Sequence, residues 1–61
     1  MSKVKELIPE LMIDGMNTSD ITELVENLEA DGFNEEDIIE ILYAIEDGES
    51  VDSAMQNAAG Y

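Results

Sequence analysis

Apolar side chains recur along this chain at helical intervals, and the recurrence is clearest over residues 21–45. Ile21, Leu24, Val25 and Leu28 fall at i, i+3, i+4 and i+7. That spacing gathers them on one helix face and turns Glu23, Glu26 and Glu29 away from it. Ile38, Ile41, Leu42 and Ile45 repeat the spacing. A strand would need alternation with a period of two, which neither segment shows. Between the two stripes stands Asp31-Gly32-Phe33-Asn34. Gly32 can take the left-handed conformation that ends a helix, with Phe33 following as an apolar clasp. Asn34 is a good N-cap, and Glu35, Glu36 and Asp37 suit the positive first turn of a helix. With Asn34 as cap, Phe33 and Ile38 occupy the two positions of a hydrophobic staple. The pattern predicts helix, tight turn, helix.

The unit recurs. Shifted back by 17 residues, it places Val4, Leu7, Ile8 and Leu11 at the core positions and Asp14-Gly15-Met16-Asn17 at the turn. Met16 and Ile21 then form the matching staple. Shifted forward, Gly48 and Ser50 take the glycine and cap roles one residue early. Val51, Ala54, Met55 and Ala58 continue the spacing with smaller side chains. An internal duplication and the drift of short capped helices toward one pattern both produce such a match. Either way, segments this short must share a core.

Four helices are predicted. The first contains Pro9, which has no amide hydrogen and crowds the preceding turn. A helix from near Lys5 to Asp14 is preferred over one that starts at Ser2 and kinks. Ile13 would then face away from Leu7 and Leu11 with Met12 at the margin. The pair is a candidate contact patch, although single exposed apolar residues are common. The second helix spans about Thr18 to Ala30 and the third Glu35 to about Glu46. Ile39 and Tyr43 add a second apolar strip to the third, which places it centrally. The fourth, Val51 to about Ala59, buries little area, and the end 58–61 should fray.

Composition narrows the chemistry. Sixty-one residues make one domain, an N-terminal helix over 1–16 and a bundle over 17–61. The second part is expected to carry its own core and to stay helical without the first. With no cysteine and no histidine, disulfides, thiolate sites and the usual zinc and iron sites are excluded. No nucleophile and base pair can be assembled, and a carboxylate dyad needs a cleft this chain is too short to build. No enzyme activity and no cofactor is expected. A calcium loop with Gly32 at its sixth position would put Asn27, Glu29 and Asp31 at the first, third and fifth. Its twelfth would be Ile38 where a bidentate Glu belongs, so no metal site is expected. There is no signal-peptide pattern and no membrane-spanning run, and a cytoplasmic protein is the expectation.

Sixteen acidic side chains stand against two lysines, for a net charge of −14. That sign opposes direct nucleic acid binding and repels an anionic membrane. It suits a soluble surface, an adaptation to salt, or a partner with a basic surface.

The turn and the helix after it resemble the ubiquitin-associated (UBA) domain family and its UBA-like relatives. The resemblance rests on Val25 and Leu28 before Gly32-Phe33, then Glu36, Ile38, Ile39, Leu42 and Ala44, then Glu49-Ser50-Val51 with Ala54 and Met55. It covers roughly residues 19–59 and implies three UBA-like helices preceded by an additional one, an all-α bundle. UBA domains usually contact ubiquitin through an apolar residue before the Gly-Phe pair and bulky residues late in the third helix. Here Asp31 and Ala58-Ala59 stand there. Ubiquitin is therefore not the expected partner, and UBA-like modules that bind other proteins are the closer analogy.

The leading expectation is a non-enzymatic interaction module that recognises a basic surface on another protein. The alternative is an inhibitor that mimics nucleic acid, of the kind viruses and mobile elements use, with a virion or structural component as a third reading. Candidate partner-binding residues are the third-helix stripe Glu36, Glu40 and Asp47, together with the turn Asp31, Gly32 and Phe33.

Overall fold

A computed structural model describes residues 3–58. Four α-helices follow one another: α1 (Lys3–Leu7), α2 (Thr18–Ala30), α3 (Glu35–Glu46) and α4 (Val51–Ala58). A 3-10 turn, Ile8–Glu10, continues α1, and no strand occurs among the described residues. The protein is a small all-α bundle.

The caps explain why α2 and α3 begin and end where the pattern predicts. The Asn17 side chain accepts the Asp20 amide at 2.9 Å, and the Asp20 carboxylate accepts the Asn17 amide at 3.3 Å. This reciprocal box satisfies two donors that a helix start leaves open. Asn34 caps α3 by accepting the Asp37 amide at 2.8 Å. At the end of α2, Gly32 has φ +99° and its amide bonds the Glu29 carbonyl at 3.1 Å, while the Phe33 amide reaches the Leu28 carbonyl at 3.2 Å. This paired closure is the Schellman arrangement. Gly48 ends α3 in the same way, through Gly48 to Ile45 and Glu49 to Ala44, both 3.0 Å. Ser50 then caps α4, its hydroxyl oxygen accepting the Ser53 amide at 3.2 Å.

A Cβ on Gly32 would meet nothing within 4 Å, so the penalty for adding one is backbone strain alone. Gly32→Ala is expected to lose about 1–2 kcal/mol. Phe33 is half-buried against the core, so Phe33→Ala should lose about 1–2 kcal/mol, less than a fully buried ring. Urea melts that left both variants as stable as the parent would contradict the capped turn.

The first segment departs from the expected Lys5–Asp14 helix. It is helical already at Lys3, tightens to 3-10 geometry around Pro9, and is extended at Leu11 (φ −75°, ψ 142°). Pro9 offers no amide to an α-helical ladder and its ring crowds the preceding turn, so the chain takes the tighter bond from Leu11 to the Ile8 carbonyl at 3.2 Å. Beyond it a turn forms, with the Met16 amide on the Ile13 carbonyl at 3.2 Å and Gly15 at φ +81°. The orientations change accordingly. Ile13, expected to face outward, is half-buried against the core, Met12 is 83% exposed, and Leu7 is only half-buried. A start at Ser2, a fourth-helix end at Ala59 and fraying of 59–61 lie outside the described residues.

Every helix contributes to one core. Val4, Ile8 and Leu11 join Ile21, Val25 and Leu28 from α2, Ile38, Ile41, Leu42 and Ile45 from α3, and Ala54 from α4. Val4, Ile8 and Leu11 of the first segment thus share the core that residues 17–61 were expected to carry on their own, and truncation of that segment tests the expectation. α3 packs against α1, α2 and α4, the central place its two apolar strips predict. Ile39 packs against the core, while Tyr43 remains half-exposed. Two carboxylates fasten the first segment along α3. Glu35, the first residue of α3, accepts the Lys3 amide, and Glu46, the last, accepts the Met12 amide at 2.9 Å. The segment thus runs parallel to α3 over the helix length of about 16 Å.

Candidate functional site

Glu36 and Glu40 lie on α3, Asp47 caps its C-terminal end, and Asp31, Gly32 and Phe33 form the turn before it. Glu36, Glu40 and Asp47 are exposed, and their spacing of four and then seven residues aligns them in one stripe, with Tyr43 between. Asp31 and Gly32 are exposed in the turn before α3, while Phe33 directs part of its surface to the core. Tyr43 interrupts the stripe between Glu40 and Asp47, and the turn is a separate feature ahead of the helix N-terminus.

Charge is distributed unevenly along α3. All sixteen carboxylates fall among the described residues, and every one is exposed except Asp37, which is half-buried. Both lysines belong to α1, whose first residue is tied to Glu35 at the N-terminal end of α3. No lysine or arginine follows Lys5, so the far end of α3 has no nearby cation in sequence. Crowded like charge destabilises the compact state, and salt screens it, since the Debye length shortens from ~10 Å at 0.1 M to ~3 Å at 1 M. The melting temperature should rise across that range by about 4–8 °C, equivalent to roughly 1 kcal/mol for a domain this small. A melting temperature indifferent to salt would show that the charge is too dispersed to matter.

At that acidic end lies a groove of about 390 Å³ between the 12–16 turn, the end of α3 and the start of α4. Its apolar lining comes from Met12, Ile13, Met16, Ile45 and Val51. Asp14, Glu46 and Glu49 stand around it as exposed carboxylates. The geometry follows from features already described. The break at Pro9 lets the chain double back through Ile13–Met16, the Glu46 carboxylate holds the Met12 amide, and the Gly48 closure turns the chain into α4. Glu49 is held in turn, accepting the Ser53 hydroxyl and the Asn57 side-chain amide, both at 3.2 Å.

Compared with known proteins, the chain matches no family model, no curated protein and no solved structure. Among the described residues, no three carboxylates converge as a metal-holding group, and no helix is long and apolar enough to cross a membrane. What the surface offers is the carboxylates of Asp14, Glu46 and Glu49 beside an apolar concavity, a combination suited to binding cationic, partly apolar groups. The predicted residues did not include this groove. Its only signal in the sequence was the Met12-Ile13 pair, and its walls come from two segments far apart in the chain, 12–16 and 45–51.

Proposed function

We propose that the protein is a non-enzymatic interaction module that recognises a basic surface on a partner protein. The supporting observation is the surface arrangement of all sixteen carboxylates, with the two lysines confined to α1. Such a field speeds encounter with a basic partner and disfavours nucleic acid, anionic membranes and other acidic proteins. The likeness of the Gly32-Phe33 turn and the helices around it to UBA-like modules agrees with an adaptor role by analogy, with a partner other than ubiquitin.

A second reading is favoured by one specific observation. The exposed stripe Glu36, Glu40 and Asp47 presents carboxylates in line along α3, as a mimic of a nucleic acid backbone would. The tagged protein should retain a basic protein from lysate of the cells that make it, at low salt. A nuclease, polymerase or repressor would favour the mimic, and a receptor subunit or other non-nucleic-acid protein the adaptor. Capture of no basic protein would overturn both. The triple variant Glu36→Gln, Glu40→Gln, Asp47→Asn then separates them. An adaptor keeps its partner, whereas a mimic loses it although the free protein becomes more stable.

A further inference from the structure

The groove at the C-terminal end of α3 explains a feature that a merely soluble acidic surface would not need. Met12 is 83% exposed, yet its backbone is fixed by the Glu46 carboxylate rather than left loose. Beside it, Ile13, Met16 and Val51 are only partly covered, so the concavity is apolar within a shell of carboxylates. Methionine is flexible and polarizable, and surfaces that accept varied apolar side chains use it for that reason.

The rim selects the occupant. Asp14, Glu46 and Glu49 present acceptors only, and both lysines lie in α1, whose first residue is tied through its backbone amide to the other end of α3. A second copy would bring the same carboxylates against these at a net charge of −14 each. A lipid surface bearing anionic headgroups is opposed by the same sign. An apolar anchor flanked by lysine or arginine answers both parts of the site, as amphipathic segments do when they lay an apolar face into a groove. We infer that this groove docks a short basic amphipathic segment of a partner protein, its apolar anchor against Met12, Ile13, Met16, Ile45 and Val51 and its cations on Asp14, Glu46 and Glu49. This rests on the basic-partner reading and assigns it a place, distinct from the Glu36, Glu40, Asp47 stripe.

The test uses the whole chain and three synthetic peptides of equal length: one of lysine and leucine with leucines at helical spacing, one with the leucines replaced by serine, and one with the lysines replaced by glutamine. Binding is followed at low salt by fluorescence anisotropy and by amide shifts in two-dimensional NMR. The lysine–leucine peptide should bind at least ten-fold more tightly than either control and shift the amides of residues 12–16 and 45–51. Met12→Ser with Asp14→Asn, both at exposed positions, should weaken it five-fold or more at an unchanged melting temperature. The variant Glu36→Gln, Glu40→Gln, away from the groove, should bind it within about three-fold of the parent. Equal binding of the lysine–serine peptide, or shifts centred on residues 36–40, would overturn the groove while leaving the basic-partner reading standing. Equal binding of the glutamine–leucine peptide, in which leucine alone drives association, would assign the groove to an apolar ligand instead. Concentration-dependent shifts at 12–16 and 45–51 without peptide, with a dimer in sedimentation, would assign it to a second copy. No binding of either cationic peptide would overturn the inference and count against the basic-partner reading too.

Discussion

Removing residues 1–16 is expected to abolish cooperative unfolding of the remaining chain. The deletion takes away Val4, Ile8 and Leu11, all buried, and the two backbone donors that satisfy Glu35 and Glu46 at the ends of α3. Burying three such side chains contributes on the order of 5–9 kcal/mol. A domain of this length has a total stability of only about 3–9 kcal/mol. Short helices also have little stability of their own once their shared face is opened to water. Circular dichroism should therefore show the truncated chain losing most of its helical signal and melting without a sigmoidal transition. Retention of the parent's helicity and a sharp melt would show that residues 17–61 hold together without the first segment.

The second large effect is expected at the centre of α3. Ile41 is fully buried, on the one helix that packs against each of the other three. Ile41→Ala removes three carbons where neighbours on several sides can close in only partly, and should lose about 3–4 kcal/mol. Ile41→Val removes one carbon and should lose about 1 kcal/mol. Urea midpoints in that order, with an unchanged slope, would place the main packing contact on α3. A loss below about 1 kcal/mol for Ile41→Ala would mean that the site collapses freely and the core is looser than its burial suggests.

The sequence was most legible where backbone chemistry and apolar spacing agree. Asn17 and Asn34 begin α2 and α3 and Asp31-Gly32 and Asp47-Gly48 close them, so their bounds could be read directly. In the first segment the two signals conflict. Val4, Leu7, Ile8 and Leu11 keep helical spacing past Pro9, although the backbone leaves α-geometry at Ile8. Leu11 is buried from an extended backbone, so its side chain obeys the stripe while its main chain does not. The orientation of Met12 and Ile13 depended on that helix continuing, and it inverted when the helix stopped. The stripe Glu36, Glu40, Asp47 was legible because one regular helix carries it. The groove was not, because it exists only once the 12–16 turn, fastened to Glu46, is laid beside the start of α4.

Recognition by the acidic surface requires that the complex with the captured basic partner weaken as salt rises. Between about 0.1 and 1 M salt, where the Debye length falls about three-fold, the dissociation constant should rise by ten-fold or more. A dissociation constant that stays level from about 0.1 to 1 M salt would mean that the acidic surface does not do the recognising.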